Sequence, residues 1–169
     1  MRAMASQSSF DVTTGVDLQE VDNAVNQALK EIRQRFDFKG SKCVIEFDRA
    51  QALIALGADD EFRMKALFEV LRTKLAGRHV PERNLNIGDN QSAGGDRVKK
   101  EITLTQGIPG ETARQIVKAF KAEKFKKAQI AIQGDQLRVS SPSKDALQSV
   151  QTFLKGQDFG IELSFGNYR

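Results

Sequence analysis

The sequence predicts an α+β fold in which one unit, strand–helix–strand–strand–helix–strand, occurs twice along the chain. Three observations predict it: segments resemble each other in pairs, strand candidates alternate apolar and polar residues, and helix candidates carry an apolar stripe. Each unit is therefore expected to form an antiparallel sheet with two helices on one face, which is the ferredoxin-like arrangement.

The repeat is clearest in the strands. In chain order, the similar pairs are residues 11–17 and 103–109, 42–47 and 127–132, 51–56 and 136–141, and 85–87 and 163–165. Alternation with period two marks their apolar face, for example at Cys43, Ile45 and Phe47. We expect that face to pack against the helices and the other face to be polar.

The helices are marked by their ends as well as by their apolar stripes. Asp17 and Glu20 form a D-x-x-E start, in which an N-cap aspartate is paired with an acid three residues later. Ser143 is the expected N-cap of the last helix, and Gly77 is the expected C-cap of the second. Residues 88–97 (GDNQSAGGDR) are polar and glycine-rich, which predicts a linker or a mobile loop.

Charge is unevenly distributed over the 169 residues, whose formal net charge is +4. Residues 1–96 carry 13 basic and 15 acidic side chains, whereas residues 97–169 carry 13 basic and 7 acidic ones. The second part is therefore the better candidate for contact with an anionic partner, although a lysine-rich surface also serves solubility alone.

Composition also indicates where the protein acts. No apolar run approaches the roughly 18 residues that a membrane-spanning helix needs, so we expect no membrane partner. No apolar segment follows Arg2, so we expect no secretory signal, and the first seven or so residues are expected to form a frayed start. The single Cys43 cannot form an internal disulfide, which fits a cytoplasmic protein.

Six segments together resemble the YajQ family of bacterial proteins, and the resemblance runs from Ser9 to Arg169. The segments are SSFDVTTGVDLQEVDNAVNQ, RFDFKGSK, ADDEFRMKAL, ARQIVKAFK, AQIAIQGDQLRVSSPSKDALQSV and GNYR. The resemblance implies two ferredoxin-like domains that exchange their first strands. We then expect one domain at residues 16–106, including a strand at 98–105, and a second domain made of residues 8–15 and 107–169.

The same resemblance implies a function. The family is described as nucleotide-binding, and some members as cyclic di-GMP effectors that bind a transcription factor or DNA. We therefore expect a signalling protein in transcription regulation, with cyclic di-GMP or another nucleotide as its ligand.

The stretch at 35–47 resembles the start of an RNA-reading strand, because Lys39 is followed by a glycine and an apolar alternation. Ser41 and Cys43 stand where that motif needs aromatic rings. The polar sheet faces are predicted to carry no aromatic ring either; they carry Lys42, Val44, Glu46 and Asp48 in the first unit, and Gln129, Gln133 and Arg138 in the second. Base reading on a sheet is therefore not expected, and a turn into a strand explains the stretch.

The candidate nucleotide-binding residues come from several segments. The resemblance favours a site at DFKGSK, with Phe38, Lys39 and Lys42. The helix at 111–127 predicts a basic face that holds phosphates or is simply solvated. Further candidates lie in the hairpin around residues 133–138 and at the end of the last strand. The remaining candidates are Arg97, Arg114, Lys118, Lys121, Gln133, Arg138, Tyr168 and Arg169.

Two short motifs have simpler explanations. Asn90, Ser92 and Gly95 fit the N-x-S-x-x-G part of a cyclic di-GMP signature, but Arg78 and Arg83 are one residue too far apart for its other part. A phosphate cradle and a flexible linker both remain open for this loop. The acidic trio at 59–61 opens a helix, where acids are favourable, and a Mg²⁺ site there is the less favoured alternative.

Catalytic motifs are absent from the sequence. His79 is the only histidine, Cys43 has no histidine near it in sequence, and neither a P-loop nor a G-x-S-x-G motif occurs. We expect a non-enzymatic protein without metal or cofactor. The alternatives are a general RNA- or tRNA-binding protein and, less favoured, an enzyme acting on nucleotides. Base preference and oligomeric state remain open.

Overall fold

The computed structural model describes residues 7–169 and divides into two compact units. One unit is Val16–Gln106, and the other is Gly107–Arg169 together with the segment that ends at Gly15. The expectations for a frayed start and for the absence of a secretory signal fall on the first residues, and these lie outside the described part of the chain.

The elements follow the predicted order. The helices are α1 (Leu18–Gln34), α2 (Glu61–Gly77), α3 (Gly110–Ala122) and α4 (Lys144–Lys155). The strands are β1 (Ser8–Thr13), β2 (Val44–Asp48), β3 (Leu53–Ala58), β4 (Leu85–Ile87), β5 (Gln91–Ser92), β6 (Val98–Leu104), β7 (Gln129–Gln133), β8 (Gln136–Ser141) and β9 (Ser164–Gly166). Short 3₁₀ helices occur at Phe36–Phe38 and Glu82–Asn84.

The Val16–Gln106 unit contains an antiparallel sheet in the order β2-β3-β6-β4, with β5 paired to β6. Its register places Ile54 opposite both Phe47 and Ile102, so these side chains share one face. That face packs against α1 and α2 around the fully buried Leu67 and Leu71. Period-two alternation in the strands and the apolar stripes of the helices therefore form one core.

The second unit contains an antiparallel sheet in the order β7-β8-β1-β9. Strand β1 lies between β8 and β9, with Phe10 opposite Val139 and Val12 opposite Phe165. Their side chains pack with α3 and α4 around Ile116. The strand at the start of the chain thus completes the sheet of the second unit, and β6 occupies the corresponding central place in the first.

The structure confirms the predicted fold class of two ferredoxin-like sheets, each covered by two helices. Most helix starts also form as predicted: Asp17 accepts a hydrogen bond from the Gln19 N–H, and Ser143 accepts one from the Ala146 N–H. Glu20 does not fold back on the cap. It accepts a hydrogen bond from Asn23 and forms an ion pair with Arg78 instead.

The end of α2 differs from the expectation that Gly77 caps it. Gly77 is the last helical residue, and His79 adopts the left-handed conformation with φ 61°. The Val80 N–H then bonds the Leu75 carbonyl, and the His79 N–H bonds the Ala76 carbonyl, which is the Schellman arrangement. The left-handed residue that ends the helix is therefore His79, two residues after the glycine. The backbone hydrogen bonds of the cap, rather than the preference of glycine for positive φ, determine where the helix ends.

The stretch at 88–97 is not the linker that its composition suggests. Its residues Gln91 and Ser92 pair with β6, and the Ala93 N–H bonds the Arg97 carbonyl across a turn. Gly94 and Gly95 both have positive φ and form that turn. The segment is therefore a hairpin within one unit, and the chain passes between units at Gly15 and at Gly107.

No helix within residues 7–169 combines the length and apolar character needed to cross a membrane.

Candidate functional site

The candidate residues near DFKGSK lie in the Val16–Gln106 unit. Phe38 is buried in the core, and the Arg35 guanidinium lies 5.2 Å from its ring centroid. The ring is therefore not free to stack on a base. Lys39 and Lys42 are exposed, and the Lys42 N–H donates to Asp59 Oδ1 at 2.8 Å.

Cys43 does not resemble an activated nucleophile. Its side chain is half-buried, and its sulfur lies 3.8 Å from Asp59 Oδ1. Burial raises the pKa of the Cys43 thiol, which disfavours the reactive thiolate.

Arg97 lines a cavity of about 390 Å³ in which acidic side chains outnumber basic ones. Asp60, Glu61 and Asp96 line the same cavity, so its surroundings disfavour a phosphate. Asp60 also caps α2 and forms an ion pair with Arg63. No group of three or more histidine, cysteine or acidic side chains in residues 7–169 is arranged to hold a metal ion.

The sheet faces away from the helices lack base-stacking rings in both units. In the first, Val44, Glu46 and Asp48 are exposed on β2. In the second, Gln129 and Gln133 are exposed on β7, and Arg138 is partly buried on β8. RNA-reading sheets present aromatic rings at such positions. These faces therefore have the layout of such a module without its stacking groups.

The surface of α3 carries the predicted basic face. Arg114, Lys118 and Lys121 are all exposed at i, i+4 and i+7, and further exposed lysines follow the helix end at Lys124, Lys126 and Lys127. None of the six forms an ion pair with a carboxylate of the described residues. The face is thus a row of positive charges open to an anionic partner.

A buried carboxylate organises the middle of the second unit's sheet. Asp11 Oδ1 accepts a hydrogen bond from Arg138 Nε at 2.9 Å, and its Oδ2 accepts one from Asn167 Nδ2 at 2.6 Å. These two donors hold the pKa of Asp11 below its ordinary value, and the pKa of Arg138 is raised by the same bond. Arg138 is therefore engaged within the sheet.

A bulge after β9 determines where Tyr168 points. Gly166 lies opposite Asp11, whereas Arg169 exchanges two backbone hydrogen bonds with Ser9. The last strand therefore advances three residues, from Gly166 to Arg169, while β1 advances two, from Asp11 to Ser9. Asn167, with φ 52°, is the extra residue that forms the bulge. Without the extra residue, alternation would turn Tyr168 to the face away from the helices.

The bulge instead places Tyr168 beside α4. Its ring centroid lies 6.2 Å from that of Phe10, and its hydroxyl donates to Gln151 Oε1 at 3.2 Å. The side chain is nevertheless 63% exposed, so one face of the ring is open to solvent. Tyr168 is held on one side by the core and by a hydrogen bond, and it is free on the other.

A groove of about 350 Å³, here called the Tyr168 groove, opens beside this ring. Phe10, Leu147 and Tyr168 form its apolar part. Its polar lining is Ser8, Ser9, Lys144, Gln148, Gln151 and Arg169. Lys144 and Arg169 supply positive charge, and the two glutamines supply amide donors and acceptors. The groove therefore combines a flat apolar surface, two cations and uncharged hydrogen-bonding groups.

The structure thus divides the predicted residues among separate places. Tyr168 and Arg169 meet in the Tyr168 groove, the three basic residues of α3 form a separate surface, and Gln133 lies at the end of a hairpin strand. Sequence reasoning missed Lys144, Gln148 and Gln151, which lie at i, i+4 and i+7 on α4. That polar stripe is visible in the sequence. Only the pairing of β1 with the last strand shows that Tyr168 and Arg169 lie beside it.

Comparison with known proteins gives consistent matches over almost the whole chain. The family model described as "Nucleotide-binding protein YajQ-like" matches residues 8–169. A protein of Koribacter versatilis named a nucleotide-binding protein is 46% identical over 164 residues, which are 97% of this chain and 98% of that protein. Another of that name, from Carboxydothermus hydrogenoformans, is 48% identical over 166 residues, which are 98% of this chain and 100% of that protein. These names state binding and name no reaction.

Proposed function

This chain belongs to the YajQ-like nucleotide-binding protein family, and we propose that it binds a nucleotide, without turnover, in the Tyr168 groove. The observation that carries the proposal is the composition of that groove. An exposed tyrosine ring stands beside Lys144 and Arg169 in a cavity of about 350 Å³. A nucleotide has the matching parts, which are a flat base and an anionic phosphate.

The base is assigned to the open face of Tyr168. Stacking of a base on an aromatic side chain contributes about 1–3 kcal/mol. The ring is already fixed by Phe10 and by the hydrogen bond to Gln151, so little side-chain entropy is lost when a base stacks on it. Gln148 lies in the same lining and can donate to or accept from a base edge.

The phosphate is assigned to the two cations. Lys144 is the first residue of α4, where the helix dipole also favours negative charge. Arg169 is held in place through its backbone by the two hydrogen bonds to Ser9. Its guanidinium can bind a phosphate through two donors or pair with the O6 and N7 atoms of guanine.

As the specific ligand we propose cyclic di-GMP, and as the specific role an effector that modulates a transcription factor or DNA. The ligand's guanine bases and phosphates suit an arginine, a lysine and glutamine amides within one groove. The effector role is supported by the resemblance to the family. Ligand binding would shift the equilibrium toward the conformations that bind the ligand better. The surface that the protein presents to its partner would change with that shift.

A second candidate function is general RNA or tRNA binding, and the basic face of α3 favours it. Six exposed cations without carboxylate partners lie along and after one helix. Electrostatic interactions between such cations and a phosphate backbone carry no sequence preference and weaken steeply with salt. This function predicts RNA binding at α3 that does not depend on the Tyr168 groove.

The test is calorimetric titration with cyclic di-GMP, GTP and a short mixed RNA at two salt concentrations. The expected result is saturable binding of a nucleotide that is weakened in Tyr168→Ala, with the fold of the variant intact by circular dichroism. A nucleotide affinity that equals the wild-type value in both Tyr168→Ala and Arg169→Ala contradicts the groove as the site. Binding of RNA alone, lost at the higher salt, favours the second function instead.

A matched control separates the two surfaces. The triple variant Arg114→Ala, Lys118→Ala, Lys121→Ala removes charge from α3 and leaves the groove lining unchanged. We expect it to bind the small nucleotide normally. Cleavage or modification of the ligand during the titration, followed by chromatography, contradicts the non-enzymatic part of the proposal.

A further inference from the structure

The hydrogen-bonding groups of the Tyr168 groove are divided unequally between donors and acceptors. None of the nine described residues that line it is an aspartate or a glutamate. The side chains of Lys144 and Arg169 can only donate. The backbone N–H and carbonyl of Ser9 are both bonded to Arg169, so they are not free for a ligand. The lining therefore favours a ligand that accepts hydrogen bonds.

Gln151 adds a donor whose orientation is fixed. Its side chain is partly buried, and its Oε1 accepts the hydrogen bond from the Tyr168 hydroxyl at 3.2 Å. This bond occupies the carbonyl end of the amide. The NH₂ end forms no hydrogen bond with any other residue of the described part of the chain. Gln151 therefore presents donors to a ligand beside the tyrosine ring.

Gln148 differs from Gln151 although both lie on α4 and line the same groove. Its side chain is exposed, and within residues 7–169 nothing is hydrogen-bonded to its amide. The amide can therefore rotate and offer a ligand either its NH₂ group or its carbonyl oxygen. Gln148 thus adds affinity for a polar base edge without selecting between donors and acceptors, and selection falls to Gln151.

The nucleobases differ in the groups that such a donor distinguishes. Guanine has the carbonyl oxygen O6 where adenine has the amino group N6, and the O4 atom of a uracil-type base corresponds to the N4 amino group of cytosine. A fixed donor bonds the carbonyl, whereas an amino group in its place leaves two donors facing each other and unpaired. Guanine also carries a 2-amino group, which hypoxanthine lacks. The described lining contains no carboxylate that could accept from it.

We propose that the Tyr168 groove selects its nucleotide by a carbonyl oxygen on the edge of the base, which Gln151 recognises, and that the 2-amino group of guanine is not recognised. The accepted class is nucleotides of guanine, hypoxanthine and uracil, and nucleotides of adenine and cytosine bind more weakly. This inference rests on the proposed function, because it requires a base stacked on Tyr168. Stacking is tolerant of every base, so the selectivity comes from the base edge.

Titration calorimetry of the wild type with GMP, IMP and AMP isolates the base edge, because the three ligands share a purine ring, a ribose and one phosphate. IMP is expected to bind within about twofold of GMP, and AMP about fivefold more weakly, which is the effect of one ordinary hydrogen bond. AMP that binds as tightly as GMP, or IMP that binds as weakly as AMP, overturns the inference and leaves the groove as a nucleotide site. Binding of none of the three contradicts the proposed function itself, and this inference with it.

Two variants of α4 form a matched pair for the role of Gln151. Gln151→Met keeps the length of the side chain and removes its donors, so the preference for GMP over AMP is expected to disappear. Gln148→Met removes the amide that serves either base, so both affinities should fall alike and the preference should remain. Tyr168→Phe keeps the stacking ring but frees the Gln151 amide to rotate, and the preference should shrink. A preference that is unchanged in Gln151→Met, with the fold intact by circular dichroism, overturns the inference.

Discussion

Asn167 donates a hydrogen bond from Nδ2 to Oδ2 of Asp11 at 2.6 Å, although the two residues are 156 positions apart in the chain. Asn167 is also the residue that absorbs the bulge after β9 in a left-handed conformation. One side chain thus satisfies a buried carboxylate of the first strand while its backbone turns Tyr168 toward α4. The orientation of the proposed base-stacking ring therefore depends on this bond.

Substitutions of Asn167 should separate the hydrogen bond from the backbone conformation. Asn167→Gly keeps easy access to positive φ but loses the bond to a charged acceptor, which costs about 2 kcal/mol of unfolding free energy. Asn167→Ala should lose about 1 kcal/mol more, because alanine is strained in the left-handed region. Urea denaturation measures both. Equal stability of the glycine variant and wild type means that the bond contributes nothing.

The same cluster predicts a dependence of stability on pH. The bonds from Arg138 and Asn167 lower the pKa of Asp11 in the folded state. Its contribution is then fully present above the unfolded pKa of about 3.9 and is lost as the pH falls through the lower folded pKa. Asp11→Asn should therefore be less stable than wild type at pH 7, and the difference should shrink in acid.

Comparison of urea denaturation at neutral and acid pH isolates this effect. Glu31 and Asp37 also have lowered pKa values, caused mainly by hydrogen bonds from Lys74 and Arg35, so both proteins lose stability in acid. Only the difference between wild type and Asp11→Asn reports on Asp11. A difference that stays constant with pH contradicts the prediction.

Replacement of Tyr168 should weaken nucleotide binding through the loss of stacking. Tyr168→Ala is expected to raise the dissociation constant roughly five- to 150-fold, since stacking contributes about 1–3 kcal/mol. Tyr168→Phe keeps the ring and loses only the bond to Gln151, so its affinity should stay within a few fold of wild type. Titration calorimetry measures both, and equal losses in the two variants would indicate that the hydroxyl rather than the ring binds.

Removal of the basic side chains of α3 should change the salt dependence of RNA binding rather than its sequence specificity. If single-stranded RNA binds there, the triple variant Arg114→Ala, Lys118→Ala, Lys121→Ala should reduce the slope of log K against log salt by about 2, because each phosphate that is no longer neutralised lowers the slope by roughly 0.7. Fluorescence anisotropy with a labelled RNA measures the slope. An unchanged slope places RNA binding away from α3.

Replacement of His79 should stabilise the protein. His79 has φ 61° at the end of α2, where glycine is the preferred residue. His79→Gly removes the strain of a left-handed histidine, and we expect a gain of about 1 kcal/mol, which thermal unfolding measures. Gly77→Ala is the paired control, because Gly77 is helical and has open space around it, and alanine there should also be favourable. A lower melting temperature for His79→Gly contradicts the assigned cap.

Local signals in the sequence were sufficient for the fold class. The caps at Asp17 and Ser143 and the alternation in β2 and β8 depend on neighbouring residues alone, and they form as expected. The end of α2 and the hairpin at residues 88–97 were predicted less well, because a bonding pattern and a pairing with β6 override composition there.

The candidate site was only partly accessible from the sequence for a related reason. Tyr168 and Arg169 were chosen for their chemistry, but their neighbours on α4 become visible only when the last strand is paired with β1. The bulge at Asn167 shifts the alternation by one residue, and no local preference predicts on which side of the sheet Tyr168 then lies. Phe38 illustrates the converse, because an aromatic residue within a polar motif is buried.

The crossed placement of β1 and β6 has a consequence for how the protein is made. Strand β1 is synthesised well before its sheet neighbours β8 and β9, so it cannot pair until the segment that contains them has also been made. Pairings so distant in sequence are slow to form. A chain cut at the Gly94–Gly95 turn would yield two pieces that each lack a central strand, and each piece carries the strand that the other needs. Neither piece should fold alone, and mixing the two should restore both sheets together.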